Sequence, residues 1–320
     1  MEKIFVKDLE ANQVMVSSFM ITYKELRQKK DGEYFLSLTL SDRTGDLLAI
    51  MWDNFQDIVD SLEVNDFVNV KGSVSIYNNR LQIILHRIKK LTEEEVDPAD
   101  YLPSSQQDPE AMFHRLQEVI SSVKNSYLRR LLEQIFSDSE IVRKFKLAPA
   151  AKGLHHVYLG GLLEHTLSVI DLCQMVCQHY QDLNRDLLIA GAVLHDLGKI
   201  DELSYSRSFN YTDQGRLLGH ILMECQTVEK EIDKIEGFPA ELRLQLLHLL
   251  ASHHGTYEFG SPRRPKTLEA LVLHYLDDMD AKVESMQQSI SGHPALEGNW
   301  SHFNKILERY IYRKKVEDED

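Results

Sequence analysis

Apolar and polar residues alternate with a period of two over the first ninety positions, which is the pattern of β-strands with one buried face. The pattern predicts five strands, at residues 14–23, 34–40, 46–52, 67–76 and 80–88. The turn-forming run Asp42–Gly45 separates the second strand from the third. A short helical pattern covers residues 54–62, and Tyr77-Asn78-Asn79 forms the turn between the last two strands.

The apolar period changes to that of an α-helix after about residue 111 and stays so almost to residue 312. The polar, aromatic run Ser204–Gln214 interrupts it and predicts a loop or a short hairpin. The predicted helices lie at residues 111–124, 126–136, 161–180, 185–197, 216–235, 240–252, 266–283 and 301–314.

Three strands, a helix and two further strands is the order of a five-stranded OB-fold β-barrel. The fold class is therefore multidomain, with an N-terminal OB-fold barrel followed by an all-α domain. The segment between them has seven acidic residues, three prolines and no lysine or arginine, which is typical of a solvated linker. We predict a barrel at 1–91, a linker at 92–110, a helical domain at 111–312 and an acidic tail at 313–320.

Charge is distributed unevenly along the 320 residues, whose formal net charge is −14. Such a balance argues against a nucleic-acid-binding protein, but residues 1–91 hold 12 basic and 13 acidic residues and are nearly neutral. A local basic groove on the barrel therefore stays compatible with the sequence. The longest apolar run of the helical half, Leu187–Leu194, is too short to span a membrane. Because the first residues also lack the apolar region of a signal peptide, we predict a cytoplasmic protein.

Histidine is concentrated in the helical half, where ten of the fourteen histidines fall between positions 155 and 274. His165 lies on the apolar face of a predicted helix, and His195-Asp196 ends another apolar helix. Burying an imidazole beside a carboxylate costs several kcal/mol unless a partner compensates, and a bound cation is one such partner. Unliganded core histidines are the alternative. Further candidate ligands are His220, His253, His254, Asp277, Asp278 and Asp280.

These candidates offer nitrogen and oxygen donors without sulfur. That set suits Mn, Fe, Co or Zn, and Mg where oxygen dominates. More than four candidate ligands predicts two ions rather than one. A carboxylate such as Asp196 could then bridge ions about 3.5–4 Å apart, an arrangement that activates water for attack on a phosphoryl group.

The spacing of these residues resembles the H…HD…D signature of the HD metal-dependent phosphohydrolase superfamily. The match lies at His165, His195-Asp196 and Asp277, with Gly198-Lys199 where that family commonly has Gly-Lys. His220, His253 and His254 resemble the extra histidines of its two-metal branch, which hydrolyses phosphodiesters. Asp277 follows an apolar stretch as the family's last aspartate does, although Asp278 and Asp280 stay open as alternatives.

An OB barrel before a two-metal HD domain is similar to the YhaM family of bacterial 3′→5′ exoribonucleases. The strings that carry this resemblance are residues 38–45, 194–199, 211–212, 219–221, 252–255 and 258–265. The resemblance implies hydrolysis of single-stranded RNA to nucleoside 5′-monophosphates by water that two metal ions activate. Mn is the expected metal, with Co, Fe, Zn and Mg as alternatives, and single-stranded DNA as a substrate stays open.

Within this hypothesis His195, Asp196 and Lys199 are catalytic. Lys199 stabilises the transition state or protonates the leaving oxygen; the alternative is a charge at a helix end. Arg263 and Arg264 are expected to hold phosphates, or to lie in a solvated loop. Further substrate-binding candidates are Tyr211 and, in the connection between the first two strands, Lys24, Arg27, Lys29 and Lys30; candidate stacking aromatics are Tyr34, Phe35, Trp52 and Tyr77.

Two other functions stay open. One is an HD phosphodiesterase that acts on a nucleotide or a cyclic dinucleotide, with the barrel as a regulatory or oligomerisation surface. The other is a nucleic-acid-binding protein without activity that carries a structural metal. Self-association of the chain also stays open.

Overall fold

The computed structural model of the protein describes residues 3–78, 80–152, 158–291, 298–304 and 307–314. The chain divides into two compact units: one holds the residues up to Ser104 together with Tyr205–Ser208, and the other holds the rest. No helix among the described residues combines the length and the apolar character that crossing a membrane requires.

The first unit is a closed five-stranded barrel, as the sequence predicts. Its strands pair in the order β1-β2-β3-β5-β4, and the parallel pairing of β3 with β5 closes the barrel. Phe19, Leu36, Leu38 and Ile83 fill its interior and are fully buried. The elements are β1 (Val14–Gln28), β2 (Tyr34–Asp42), β3 (Gly45–Met51), α1 (Gln56–Val59), β4 (Phe67–Tyr77) and β5 (Arg80–Lys90).

The first strand is longer than the sequence pattern predicts. An irregularity between Ile21 and Tyr23 shifts its register, and pairing with β2 continues as far as Gln28 opposite Tyr34. Lys24 and Arg27 therefore lie on β1 itself, and their predicted place in the connection between the first two strands is wrong. The register shift breaks the alternation of apolar and polar residues from which the end of the first strand is predicted. Backbone pairing with β2 nevertheless continues beyond the shift and extends the strand to Gln28. The predicted turn at residues 77–79 includes Asn79, which lies outside the described residues.

Part of the predicted acidic linker packs against the barrel. Tyr101 and Leu102 are buried. The Tyr101 hydroxyl donates a hydrogen bond to Ser18 over 2.6 Å, and its ring lies 4.7 Å from that of Phe67. The prediction of a solvated segment is therefore wrong at these two residues. It depends on the overall composition of the segment, in which acidic residues outnumber the single tyrosine and leucine that are buried.

The second unit is helical, and most predicted helices are present within a few residues. Gly219, with a φ of +73°, divides the predicted helix 216–235 into α8 and α9. The elements are α2 (Pro109–Ser121), α3 (Ser126–Ile135), α4 (Ser139–Leu147), α5 (Gly161–His179), α6 (Arg185–Leu194), α7 (Lys199–Glu202), β6 (Leu203–Ser204), β7 (Asn210–Tyr211), α8 (Asp213–Leu218), α9 (His220–Ile232), α10 (Ala240–Ser252) and α11 (Leu268–Ser291). The β6–β7 pair is the short hairpin that the Ser204–Gln214 run predicts, whereas α4 has no counterpart among the predictions.

The predicted helix 301–314 is wrong for the residues that the structure describes there. They form isolated bridges, Trp300 with Tyr312 and Asn304 with Arg309. The Asn304 side chain donates to the hydroxyls of Ser285 and Ser289 on α11. Such long-range contacts outweigh a local helical period.

Helix α6 lies at the centre of this unit, with every residue from Leu187 to Leu194 buried. A Cβ at Gly191 would lie 2.5 Å from a methyl group of Leu249, so a larger residue at this position would require that leucine to move. The helix ends at Leu194, and the two residues that follow it, His195-Asp196, are buried inside the unit.

Candidate metal centre

Seven side chains from five helices or helix ends converge inside the helical unit. They are His165 on α5, His195 and Asp196 after α6, His220 at the start of α9, His253 and His254 after α10, and Asp277 on α11. His165, His195 and His253 are fully buried, and Asp196 is 2% exposed. These are the seven metal ligands that the sequence predicts. In the structure six of them form two clusters, His165–His195–Asp277 and His220–His253–His254, and Asp196 is the seventh.

Asp196 lies between the two clusters and presents one carboxylate oxygen to each. Its Oδ2 is 3.6 Å from Nε2 of His165 and 3.4 Å from Nε2 of His195. Its Oδ1 is 3.7 Å from Nε2 of His220 and 3.9 Å from Nε2 of His253. This is the placement that a carboxylate bridging two ions requires.

The first cluster is rich in carboxylates. Asp277 Oδ1 lies 3.2 Å from Nε2 of His165 and 3.7 Å from Nε2 of His195. Burial disfavours a charged imidazole at His165, but the hydrogen bonds that its ring donates to Asp277 and Asp280 outweigh burial and raise its pKa to about 9. Burial likewise opposes ionisation of Asp277, but the two histidines hold its pKa well below the ordinary range.

Two histidines of the second cluster, His253 and His254, are neutral imidazoles. Burial and then the neighbouring charge of His254 lower the pKa of His253 well below its ordinary value. The pKa of His254 is also lowered, by burial and by His220. These rings therefore carry unprotonated nitrogens near neutral pH, the form that binds metal ions.

Each of the five rings uses its Nδ1 for a contact on the far side from the centre. Carboxylates take this role at two rings: Nδ1 of His165 is 2.7 Å from Asp280, and Nδ1 of His220 is 3.0 Å from Glu202. Backbone carbonyls take it at the others, each over 2.8 Å: Ala192 for His195, Leu250 for His253 and Phe259 for His254. Such contacts fix the tautomer and the ring orientation, which leaves Nε2 for a ligand.

Glu202 and the role of Asp280 are missing from the sequence-based site. Asp280 contacts Nδ1 of His165 and also accepts a hydrogen bond from Ser168, so it supports a ligand. Asp278 pairs instead with Lys282 on the same helix over 2.6 Å. Of the three aspartates that the spacing leaves open, Asp277 alone belongs to a ligand cluster. No sequence signal distinguishes Glu202, because its partner is 18 residues away.

Adjacent histidines after α10 face the same centre because the chain leaves the helix there. The helix ends at Ser252, and Gly255 turns the chain with a φ of +77°. His254 is then held by Phe259 of the following loop. The two imidazole centroids are 4.3 Å apart.

Lys199 neutralises the central carboxylate. Its Nζ lies 2.7 Å from Oδ2 of Asp196. Burial opposes the ionised form of Asp196, but Lys199 and the surrounding histidines hold its pKa well below the ordinary range. Lys199 is the first residue of the four-residue helix α7, whose single turn is both its first and its last. Gly198 is required before it, because a Cβ there would lie 2.2 Å from the carbonyl oxygen of His220.

Three buried atoms at the centre have no hydrogen-bond partner among the residues that the structure describes: Oδ1 of Asp196 and Nε2 of His220 and of His253. Buried polar atoms are ordinarily paired, so three neighbouring unpaired acceptors call for a ligand. A divalent cation fits it, since imidazole nitrogen and carboxylate oxygen are its usual ligands. The clusters are thus consistent with divalent metal binding.

The predicted basic groove of the barrel is partly occupied by internal pairs. Lys24 donates to the carbonyls of Val59 and Leu62 over 2.5 and 2.6 Å. Arg27 pairs with Glu25 over 2.6 Å, and Lys29 pairs with Glu33 over 3.0 Å. Lys30 is exposed.

Exposed aromatic rings lie beside Lys29. Its Nζ is 5.6 Å from the ring centroid of Trp52. Trp52 and Tyr34 are 39% and 56% exposed, and both line an open pocket of about 530 Å³. Tyr77 is exposed, whereas Phe35 is half-buried and packs on Trp52 at 4.8 Å. The barrel therefore offers stacking surfaces at Tyr34 and Trp52.

The three remaining substrate-binding candidates lie on loops or short strands of the helical unit. Tyr211 is 41% exposed on β7, and Nζ of Lys152 lies 5.5 Å from its ring centroid. Arg263 and Arg264 are both exposed, and the guanidinium of Arg264 lies 5.2 Å from the ring centroid of Tyr257. All three side chains are accessible to a ligand.

Comparison with protein families matches one model within each unit of the chain. Residues 162–282 match the family model described as HD domain. The helical unit contains an HD domain. Residues 20–91 match a model described as OB-fold nucleic acid binding domain, so the barrel is an OB fold. An HD domain implies a metal-dependent phosphohydrolase, and the model matched by the barrel indicates binding of nucleic acid.

Solved structures similar to this chain include an OB-fold domain and two single-stranded DNA binding proteins. The second OB-fold domain of replication protein A from Methanococcus maripaludis is 23% identical, covers 28% of this chain and 95% of its own, and has a TM-score of 0.23. A mitochondrial single-stranded DNA binding protein from S. cerevisiae is 13% identical, covers 26% of this chain and 98% of its own, and has a TM-score of 0.22. A deletion mutant of the single-stranded DNA binding protein from Thermus aquaticus is 18% identical, covers 25% of this chain and 50% of its own, and has a TM-score of 0.21.

Proposed function

We propose that the protein is a 3′→5′ exoribonuclease that hydrolyses single-stranded RNA to nucleoside 5′-monophosphates. The observation that carries the proposal is Asp196, whose two oxygens face separate ligand clusters. Bound divalent ions, with Mn as our first choice, would supply activation of the attacking water and neutralisation of phosphate charge. The barrel binds the strand, and single-stranded DNA is a second candidate substrate.

The chain's own residues prepare this centre. Asp280 and Glu202 orient the rings of His165 and His220, so that their Nε2 atoms face inward. Lys199 holds Asp196 in place and carries positive charge where negative charge develops on the phosphate. Arg263 and Arg264 bind backbone phosphates, and Tyr34 and Trp52 stack on bases.

The test is a time course with single-stranded RNA labelled at its 3′ or its 5′ end, in the presence of Mn²⁺. The proposal expects the 3′ label to appear at once in mononucleotides, whereas the 5′-labelled strand shortens progressively. The variant His195→Ala and a chelator should each abolish both changes. His114→Ala is the matched control, because this histidine lies exposed on α2.

Other outcomes identify the competing functions. If RNA stays intact while mononucleotides, cyclic dinucleotides or a small phosphodiester are hydrolysed, the HD chemistry holds and the polymer substrate is wrong. If RNA binds but no divalent ion supports hydrolysis of any of these substrates, the protein is a binding protein with a structural metal and the proposal fails.

A further inference from the structure

Helix α11 is apolar on two opposite faces. Its inner face packs in the core through Ala270, Leu273 and Leu276, which are buried. Its outer face carries six large apolar side chains, each between 38% and 61% exposed, which we call the outer stripe: Leu268, Leu271, Tyr275, Met279, Val283 and Met286. A surface helix ordinarily presents polar residues to solvent, and a helix that is apolar all round is ordinarily buried. The outer stripe therefore calls for a partner.

The spacing of the outer stripe identifies that partner. Its members are separated by 3, 4, 4, 4 and 3 residues, a sequence of steps that reads the same in both directions. An antiparallel copy of the same helix, related by a two-fold axis near Asp277, therefore sets like against like. Leu268 then faces Met286, Leu271 faces Val283 and Tyr275 faces Met279 of the second copy. A closed two-fold interface requires this kind of self-complementarity.

The surroundings of the stripe fit a second copy as well. The cavity beside its first half measures about 600 Å³ and is lined by Tyr180, Leu183, Leu268 and Tyr275 among others. In the antiparallel arrangement this end meets the second half of the other copy's stripe, whose methionine and valine side chains can fill it. Met175 and Tyr180 of the α5 end add exposed apolar surface there.

Area and charge both permit the contact. Eight half-exposed apolar side chains, at about 100 Å² each, offer at most roughly 800 Å² per copy, which is the size of a standard interface. The chain carries a formal charge of −14, so two copies repel at long range. At the stripe, however, Asp278 and Lys282 pair on their own helix and leave no net charge.

We propose that the outer stripe of α11 is the interface of a two-fold, antiparallel homodimer. Asp277 and Asp280 contact His165 from this same helix, so the dimer would brace the helix from outside while the metal centre lies on its inner side. The proposal concerns self-association and is independent of the hydrolytic activity.

The test is light scattering of the full chain after size exclusion, at micromolar concentration. The wild type should have twice the chain mass. Leu271→Glu and Val283→Lys should each be monomeric, with the dissociation constant raised at least about 100-fold, because each buries an unpaired charge. An equimolar mixture of the two should regain the dimer mass, because the register sets Glu opposite Lys.

The matched control is Leu244→Glu on α10, which replaces a leucine that is 64% exposed outside the stripe and should stay dimeric. Far-UV circular dichroism of every variant establishes that it is folded. A monomeric wild type overturns the proposal, as does a Leu271→Glu variant as dimeric as the control. A mixture that stays monomeric overturns the antiparallel register.

Discussion

Single residues at the centre hold their protonation states through opposed effects of burial and charge. In the metal-free protein the pKa of His165 is about 9, so its ring is protonated at neutral pH, whereas His253 is neutral. A cation that binds through Nε2 of His165 must displace that proton. The two clusters therefore differ in what metal binding costs.

From this difference we expect Mn²⁺ affinity to depend on pH. Below pH 9 the ion competes with one proton on His165, so affinity should rise with pH by up to about tenfold per unit and level off above 9. Calorimetric titration in two buffers of different ionisation enthalpy measures both the affinity and the released proton. Asp280→Asn removes a carboxylate that raises this pKa and should flatten the dependence. Equal affinity at pH 7 and pH 9 would contradict the assignment.

Glu224 is a second buried group with a displaced pKa. It is fully buried 3.7 Å from Nδ1 of His253, and burial together with the charge of Asp196 raises its pKa well above 4.5. A carboxyl group whose pKa is higher in the folded than in the unfolded chain contributes stability below pH 4.5. This contribution is lost as the pH rises toward the pKa of the group in the folded state. Glu224→Gln has no such loss. Its stability relative to the wild type should therefore grow with pH, by at most about 1.4 kcal/mol per unit.

Urea unfolding with a chelator present, at pH 5 and at pH 8, measures this difference. Glu118→Gln, at an exposed position on α2, is the control and should show no such trend. A constant difference between Glu224→Gln and the wild type would mean that Glu224 is ionised in the fold.

Among the secondary-structure elements, close approach of backbones positions the ligands. Gly198→Ala places a methyl group 2.2 Å from the carbonyl oxygen of His220, so α7 and α9 must separate. We expect a loss of about 1–3 kcal/mol in unfolding free energy and weaker Mn²⁺ binding, because His220 moves from Asp196. Gly237→Ala is the control: its φ of +72° makes it strained as well, but it lies in the loop before α10 and should leave binding unchanged. Unchanged binding in both would contradict this role for Gly198.

Much of the secondary structure and of the candidate metal centre is predictable from the sequence. The period-two and helical patterns of apolar residues predict the strand order and most helices. They do so because the residues on the buried face of a strand or helix recur at a fixed spacing within that segment. The ligand types and the HD spacing find the converging histidines and aspartates. Tyr101, Glu202 and the bridges at Trp300 escape prediction, since each depends on a partner far away in the chain. The strand positions of Lys24 and Arg27 escape it because a register shift hides them.

For the whole molecule, the proposed substrate predicts a salt dependence. The chain is acidic, and binding of a polyanionic strand depends on local cations that release counterions. The KM for single-stranded RNA should therefore rise steeply with salt, whereas that for a small phosphodiester should rise less. Steady-state kinetics across a series of salt concentrations, with both substrates, measures the two slopes. Equal slopes would contradict recognition of the strand as a polymer.

The proposed metal centre requires that two ions share Asp196, and electron paramagnetic resonance of the Mn²⁺-loaded protein tests this directly. We expect two Mn²⁺ per chain and the spectrum of a spin-coupled pair, because Oδ1 and Oδ2 of one carboxylate face the two clusters. Asp196→Asn should lose the coupling. A single bound Mn²⁺, or two with the six-line spectrum of isolated ions, would contradict it.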